Sequence, residues 1–276
     1  MFELSRIAAT GLVARIDYHE SVGSTNDRAL ALGAIGETDL PLLVLAERQT
    51  AGRGRGANRW WTTDGALTFS LVLSAPVEQL PPTHWPQVAL ISGLAVCEAL
   101  EGLAPADDLC VKWPNDVYLG GRKIAGILSE SMPGWRDRLV VGMGVNVNNR
   151  VQGEGVGGEA SGDRSQGTGL IATSLIEHDG VLRNLTDALL VVLDEFDRRW
   201  RELLAGSFDD AATAFRQRCL LTGKTVTIVQ PGGRTVVGRC QGINDSGALV
   251  VQNEGGVELV HSGTVARWDG SASDQF

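Results

Sequence analysis

A run of alternating glycines, Gly52-Arg53-Gly54-Arg55-Gly56, strongly limits the folds open to this chain. A dinucleotide-binding loop has similarly spaced glycines, but that fingerprint also requires a helix that opens directly after them. The residues that follow, Ala57-Asn58-Arg59-Trp60-Trp61-Thr62-Thr63-Asp64, do not open a helix. The run therefore argues against a Rossmann fold and against a nicotinamide-dependent oxidoreductase.

The same run suits the binding of anionic groups. Glycine has no side chain, so the backbone can come very close to a ligand. Arg53, Arg55 and Arg59 offer guanidinium groups whose charge is fixed and whose shape matches carboxylates and phosphates. Such a segment can bring two anions together. A solvated glycine and arginine turn is the alternative interpretation.

The hydrophobic pattern predicts a mixed sheet with helices over most of the chain. The expected strands are residues 42–46, 67–73 and 139–147, with a hairpin at Gly120-Gly121 within residues 117–131. The expected helices are residues 24–33, 85–100, 179–204 and 207–221. Residues 151–169 are rich in glycine, serine and acidic residues and predict a surface loop.

Past residue 221 the pattern changes to short strand-like runs separated by turn residues. These runs are residues 226–230, 236–241, 249–252, 257–260 and 265–268. They predict a small all-β barrel. Because 276 residues are enough for a large and a small domain, we expect domains at residues 1–221 and 222–276, each with its own core.

Composition excludes several classes of function. A net charge of -9 disfavours a general nucleic-acid binder, since affinity for phosphate backbones depends on clustered Lys and Arg. No apolar run approaches the roughly 20 residues of a membrane-spanning helix. Residues 1–6 lack the pattern of a secretory signal, so we expect a cytoplasmic protein whose four scattered cysteines are reduced thiols. Small molecules and proteins are the expected partners.

Three further segments carry polar groups in positions that can face a ligand. In Lys112-Trp113-Pro114-Asn115-Asp116, Trp-Pro ends a strand and leaves Asn115 and Asp116 on a loop, to which the following hairpin returns Lys123. Gly142 and Gly144 interrupt an apolar strand, which indicates close backbone approach to a ligand or packing against a helix. Ser24-Thr25-Asn26 is either a helix cap or a ligand contact. Turn formation and solvation are the alternatives for Asn115, Asp116 and Lys123.

Taken together, these segments resemble the biotin protein ligase family. The motifs that carry the resemblance are Ser24-Thr25-Asn26, Gln49 with Gly52-Arg53-Gly54-Arg55, Lys112-Trp113-Pro114-Asn115-Asp116, Arg122-Lys123-Ile124-Ala125-Gly126-Ile127-Leu128, and Gly142, Gly144 and Asn146. The resemblance spans residues 18–148, and residues 221–267 look like the family's SH3-like C-terminal domain. One departure is that Ala57 and Asn58 replace a later Gly-Arg of the family pattern. Either Arg59 replaces that arginine or its charge is missing from the loop.

The resemblance implies an α+β fold, with a class II synthetase-like catalytic domain of mixed sheet and helices and a small SH3-like β-barrel. It implies a biotin-[acetyl-CoA-carboxylase] ligase that uses ATP and Mg²⁺ to make biotinyl-5'-AMP. The biotin then passes to a lysine of the biotin carboxyl carrier protein or domain of a carboxylase. A lipoate or octanoate ligase or transferase of the same fold is the alternative.

The resemblance also implies roles for individual residues. The implied biotin-binding residues are Ser24, Thr25, Asn26, Gln49, Gly52, Arg53, Gly54, Arg55, Lys123, Gly126, Gly142 and Gly144. The implied ATP and adenylate-binding residues are Arg55, Trp60, Asn115, Lys123 and Asn146. Lys123, Arg53, Arg55 and Asp116 are the expected catalytic residues, and no residue is expected to ligate a metal.

Some family members add an N-terminal DNA-binding domain and act as biotin-sensing repressors. Only 23 residues precede Ser24, fewer than the roughly 40 that usually form a stable domain unaided. We therefore expect a monofunctional ligase that binds no DNA and no membrane, as a monomer or weak homodimer. We expect the C-terminal domain to cap the active site, with Lys224 as its contributor.

Overall fold

A computed structural model describes residues 1–34, 40–104, 106, 108–151 and 172–270. The larger of its two sheets contains β1 (Arg15–Val22), β2 (Leu42–Gln49), β3 (Ala66–Ser74), β4 (Leu109–Lys112), β5 (Asp116–Leu119), β6 (Arg122–Ser131) and β7 (Arg138–Asn146). The strands lie in the order β1-β2-β3-β7-β6-β5-β4. β1 and β2 are parallel and all other neighbours are antiparallel, which confirms the predicted mixed sheet.

The helices are α1 (Leu4–Ala9), α2 (Thr25–Ala34), α3 (Pro86–Leu103), α4 (Leu175–Asp179), α5 (Leu185–Leu204) and α6 (Asp209–Arg218), with a 3₁₀ turn at Pro82–His84. α5 buries an apolar stripe that includes Leu189, Val192 and Phe196, as its 3.6-residue periodicity predicts. α3 is long and apolar enough to cross a membrane by length and composition alone. However, 67% of α3 is buried inside the fold, where it packs against α5 and the sheet as a core helix.

The smaller sheet contains β8 (Thr225–Val229), β9 (Thr235–Ile243), β10 (Leu249–Asn253), β11 (Gly256–Val260) and β12 (Thr264–Trp268). These strands are antiparallel throughout and lie in the order β11-β10-β9-β8-β12. The prediction of five short strands in an all-β C-terminal unit is confirmed.

The expectation of a separate core for each sheet is wrong. Buried side chains from both sheets, such as Leu67 and Val111 in the larger and Val226 and Leu249 in the smaller, belong to one continuous apolar cluster. The indole Nε1 of Trp113 donates a hydrogen bond to the carbonyl oxygen of Gly247 across this junction, over 3.2 Å. The smaller sheet is therefore packed against the larger one through shared buried side chains.

The helix predicted at residues 179–204 begins later, at Leu185, because Asp179 is the last residue of a separate helix, α4. Gly180 has a φ of 74°, the left-handed conformation that ends α4, and Asn184 then starts α5 by accepting a hydrogen bond from the Thr186 amide. The helix predicted at residues 207–221 is shorter, because α6 ends at Arg218. The sequence pattern does not predict α1, α4 or β1, whereas the strand expected just before Trp113-Pro114 is β4. Residues 152–169 of the predicted surface loop lie outside the described residues.

Candidate active site

A cavity of about 680 Å³ lies between the larger sheet and the β12 edge of the smaller sheet. The predicted site residues that line it are Ser24, Thr25, Asn26, Gln49, Arg53, Gly54, Arg55, Trp60, Asn115, Asp116, Lys123, Gly126, Gly142 and Gly144. They come from the start of α2, the loop between β2 and β3, the turn between β4 and β5, and strands β5, β6 and β7. The topology therefore gathers segments that are far apart in sequence around one space.

A buried hydrogen-bond network joins the start of α2 to the floor of the cavity. The amide Oε1 of Gln49 accepts from the Thr25 backbone N–H at 2.8 Å and from the Thr25 hydroxyl at 3.1 Å. The hydroxyl of Ser70 lies 2.8 Å from the Thr25 hydroxyl and 2.6 Å from Asn26 Oδ1. Asn26 Nδ2 donates to the Leu128 carbonyl oxygen and to Glu130 Oε2. Ser24 also accepts from the Asp27 amide, so the triplet caps α2 while it lines the cavity.

Glycines in β6 and β7 leave room for neighbouring side chains. A Cβ added to Gly142 would come within 2.8 Å of Asn26 Cγ. A Cβ added to Gly144 would lie 2.6 Å from Trp60 Nε1, and one added to Gly126 would lie 3.3 Å from Trp60 Cζ3. The Trp60 ring thus lies over the paired glycines of the two strands. Within the described residues its buried N–H has no hydrogen-bond partner, so it can donate to a ligand.

Arg53 is already paired with two acidic side chains. Its Nη1 and Nη2 form a bidentate pair with Glu130 at 3.0 and 2.7 Å, and its Nε lies 2.8 Å from Asp27 Oδ1. These contacts hold the loop of residues 50–64 against β6. The charge of Arg53 is therefore largely compensated in this structure, which sequence reasoning does not anticipate.

Arg55 points from the same loop toward the smaller sheet. Both Nη atoms donate to the carbonyl oxygen of Gly263 at 3.2 Å, and Nη1 lies 3.4 Å from Asn115 Oδ1. Burial lowers the pKa of the Arg55 guanidinium, and the Asp116 carboxylate opposes that shift. Arg55 thus connects the loop, the β4–β5 turn and the smaller sheet at the cavity wall.

Asp116 lies between two lysines. Lys123 Nζ is 2.6 Å from Asp116 Oδ1, and Lys112 Nζ is 4.0 Å from Asp116 Oδ2. Burial lowers the pKa of Lys112, the charges of Lys123 and Arg55 lower it further, and Asp116 opposes them. Three cations share one carboxylate here, so this end of the cavity carries excess positive charge suited to an anion.

Two residues of the predicted site do not line the cavity. Asn146 is buried, with Nδ2 donating to the Thr173 carbonyl oxygen and Oδ1 accepting from Asn149. Gly52 lies behind the loop, where an added Cβ would be 3.1 Å from Gln49 Nε2 and closer still to the Trp60 carbonyl oxygen. Asn146 therefore orders the segment after β7, and Gly52 permits a tight loop.

Several lining residues are not among the predicted biotin-binding, adenylate-binding and catalytic residues, although Arg59 is one of the loop arginines expected to suit an anion. They are Asn58, Arg59, Lys112, Pro114, Ile127, Leu128, Met143, Val229, Thr264, Val265, Ala266 and Trp268. Lys112 was recognisable, because it begins the Lys-Trp-Pro-Asn-Asp motif. The β12 residues had no local signal, since tertiary packing alone brings them to the cavity. Lys224, the expected C-terminal contributor, is not among the lining residues.

Arg59 has a different environment from the other loop arginines. It lines the cavity, and its guanidinium carbon lies 5.5 Å from the ring centroid of Trp61, which is 59% exposed.

Among the described residues, no group of three or more His, Cys, Asp or Glu side chains is arranged to hold a metal ion. Asp116, the acidic side chain in the lining of this cavity, is held by lysines.

Comparisons with known proteins agree with the motifs. The Biotin/lipoate A/B protein ligase family model matches residues 18–148, and the Biotin protein ligase C terminal domain model matches residues 221–268. A biotin-[acetyl-CoA-carboxylase] ligase of Mycobacterium tuberculosis is 32% identical over 91% of this chain and 88% of its own. The bifunctional ligase/repressor BirA of Bacillus subtilis is 29% identical over 90% of this chain and 72% of its own.

The fold agrees equally well with a solved structure. The biotin protein ligase from Aquifex aeolicus in complex with biotin and ATP superposes with a TM-score of 0.75 and 28% sequence identity. The match covers 90% of this chain and 96% of that chain, so it includes both sheets.

Proposed function

The chain belongs to the biotin protein ligase family, and from that premise we propose that it activates biotin with ATP and transfers it to a carrier lysine. The carboxylate of biotin attacks the α-phosphorus of ATP, pyrophosphate leaves, and biotinyl-5'-AMP forms. The observation that carries the proposal is the single cavity that joins a neutral polar pocket at α2 to a cluster of cations at Asp116. These two ends suit a ureido ring and a reacting phosphate.

We assign the α2 end to biotin. Thr25, Asn26 and Gln49 supply hydrogen-bonding groups that are already oriented by buried partners. Such a preformed pocket favours a ligand that carries its own amide-like donors and acceptors. Gly142 and Gly144 leave the strand backbone open beside the chain of the ligand. In this assignment Arg53 orders the loop over biotin through Glu130 and Asp27.

We assign the opposite end to the adenylate. Two anions must meet in the first step, and Lys123 and Arg55 reduce their repulsion and stabilise the charge that develops on the phosphate. The buried N–H and ring face of Trp60 and the amide of Asn115 line the same space. Asn146, with its amide engaged by Thr173, acts in this proposal behind the site rather than in contact with ATP.

We propose that magnesium arrives with ATP and has no resident site built by the protein. Mg²⁺ is commonly bound by one or two carboxylates together with substrate phosphates. The described residues offer no cluster of metal ligands, and the Asp116 carboxylate is occupied by lysines. The cationic side chains are the protein groups that act on the phosphate, and Mg²⁺ bound with ATP would supply further neutralisation of the phosphate charge.

The second step transfers the acyl group. The neutral ε-amino nitrogen of the carrier lysine bonds to the acyl carbon, the acyl–phosphate bond breaks, and AMP leaves with the electron pair. We assign to Asp116 the acceptance of the proton that the amine loses. The contact of Asp116 with Lys123, at 2.6 Å, supports this assignment, because Lys123 is the cation proposed to act on the phosphate.

The decisive experiment is incubation of the purified chain with ATP, Mg²⁺, biotin and a biotin carboxyl carrier domain, with mass spectrometry of the carrier. We expect one biotin on one lysine, release of pyrophosphate without carrier, and no product on a carrier whose target lysine is replaced by arginine. Lipoate or octanoate replaces biotin in a parallel arm. Transfer of lipoate in preference to biotin would instead assign the cavity to the alternative acid.

We further propose that the chain acts in the cytoplasm, as a monomer or weak homodimer, without DNA, through domains at residues 1–221 and 222–276. The net charge of -9 supports the absence of operator binding. A gel-shift titration of the biotinyl-adenylate-bound protein against biotin-gene promoters, at about 0.1 M salt, tests this. Sequence-specific binding tighter than about 10⁻⁸ M would contradict it.

A further inference from the structure

The smaller sheet places an aromatic ring against a buried lysine of the larger one. Trp268, the last residue of β12, is 8% exposed and lies edge-on to Tyr118, with ring centroids 6.3 Å apart. Lys112 Nζ lies 4.5 Å from the centroid of the Trp268 ring. Trp is the aromatic side chain that binds a cation most strongly through its ring face. This contact joins the two sheets at the wall of the proposed active site.

Besides Trp268, the ammonium of Lys112 faces the ring of Tyr118, at a longer 5.9 Å from its centroid, and the Asp116 carboxylate. Its distance of 4.0 Å to Asp116 Oδ2 exceeds a hydrogen bond, and its side chain is only 9% exposed. Burial lowers the pKa of Lys112, and repulsion from the charges of Lys123 and Arg55 lowers it further. A buried cation in such surroundings would tend to lose its proton or turn toward solvent. The ring face of Trp268 opposes both outcomes.

We propose that Trp268 is a positioning residue that holds Lys112 beside Asp116, so that Asp116 keeps a cationic neighbour when Lys123 turns to the phosphate. The proposal rests on the proposed function. In the structure Lys123 contacts Asp116 directly, yet its charge is needed at the substrate during adenylate formation and transfer. The Asp116 side chain is 13% exposed, and burying a carboxylate without a cationic partner costs free energy, so Lys112 would stabilise the carboxylate that takes the proton of the carrier amine.

A double-mutant cycle tests the pathway through Lys112. Trp268→Leu, Lys112→Met and the double variant are compared with wild type for pyrophosphate release and for carrier labelling from preformed biotinyl-5'-AMP. We expect Trp268→Leu to lower kcat of labelling about tenfold with little change in KM, and to have almost no further effect in the Lys112→Met background. Trp268→Phe, which keeps a ring face, should recover most of that rate. An equal loss in both backgrounds would overturn the proposal, because Trp268 would then act by packing alone.

Two controls keep the test independent of folding and of the proposed function. Val260→Ala truncates a buried side chain of the same sheet that does not line the cavity, and it reports the effect of lost stability alone. Lys112→Arg leaves Trp268 untouched and keeps a charge that can stack on its ring. It should retain labelling within about threefold while Lys112→Met loses about tenfold, and equal losses would also overturn the proposal. Wild-type protein that makes no biotinyl-5'-AMP would instead overturn the proposed function itself.

Discussion

Gly142→Ala should disrupt the α2 end of the cavity, because the added methyl group would displace the side chain of Asn26. The added Cβ would come within 2.8 Å of Asn26 Cγ and closer to its Oδ1, which is too near for either atom to stay in place. Asn26 would then leave its contacts with Ser70 at 2.6 Å, Glu130 at 2.8 Å and Leu128 at 3.2 Å. A typical internal hydrogen bond contributes about 1 kcal/mol and one to a charged group about 1.5–3 kcal/mol.

The expected loss is about 2–4 kcal/mol in the free energy of unfolding, since these three contacts are coupled and the sum is an upper value. The reduced freedom of alanine in the unfolded chain returns about 0.4–1 kcal/mol. For a chain of this size the remainder corresponds to a fall in Tm of about 5–10 °C. We expect the affinity for biotin to fall at least about tenfold, since Asn26 is part of the proposed biotin pocket.

Urea unfolding, thermal unfolding and biotin calorimetry measure these effects. Gly93→Ala is the matched control, because its Cβ would meet Val111 Cγ1 at 3.9 Å and Ile127 Cδ1 at 4.0 Å, which are ordinary contacts. That helical variant should match or exceed the stability of wild type. Adding Gly142→Ala to Asn26→Ala should cost little more than Asn26→Ala alone. A wild-type urea midpoint and biotin affinity in Gly142→Ala would refute the reasoning.

Three further outcomes are expected. Lys123→Ala should change Tm little while cutting pyrophosphate release about 10²-fold or more, and wild-type release in that variant would end its assignment to charge stabilisation. Arg55→Gly removes the contacts of the loop with Gly263, so biotinyl-5'-AMP should escape and label bystander lysines. Labelling of the carrier alone would indicate that the loop is only a solvated turn. The carboxylate of Asp179 accepts a hydrogen bond from Arg183, which lowers the pKa of Asp179. Asp179→Asn should therefore unfold more easily than wild type at pH 7. That difference should be present above the unfolded pKa of about 4 and disappear as pH falls through the lower folded value, which urea titrations at several pH values measure.

Local pattern was sufficient to predict the elements whose signals lie within a few residues. The strands with continuous apolar runs and the five short C-terminal strands follow from periodicity and turn residues. The break between α4 and α5 depends on Gly180 and on the cap at Asn184, signals that a continuous apolar stripe obscures. β1 (Arg15–Val22) has only half-buried and exposed positions, so its sequence lacks the apolar run that would indicate a strand.

The site shows the same division between local and long-range information. The motifs identify most residues that line the cavity, because each motif places its polar groups on one loop or strand end. Sequence does not show that Arg53 is held by Glu130, which lies 77 positions further along the chain. It also does not show that β12 forms a cavity wall. Both facts arise from the packing of elements whose spacing in the chain carries no signal.

Besides its apolar contacts with the larger sheet, the smaller sheet compensates the charges around the cavity. Arg55, Lys112 and Lys123 share the Asp116 carboxylate, and such a cluster repels itself when it is withdrawn from water. The smaller sheet supplies compensating groups that are not charged: the carbonyl oxygen of Gly263 accepts from Arg55, and the ring of Trp268 covers Lys112. Because these partners are dipoles and a ring face rather than acids, they stabilise the cations without neutralising them. The cavity therefore keeps its attraction for an anionic substrate in a chain whose net charge is -9.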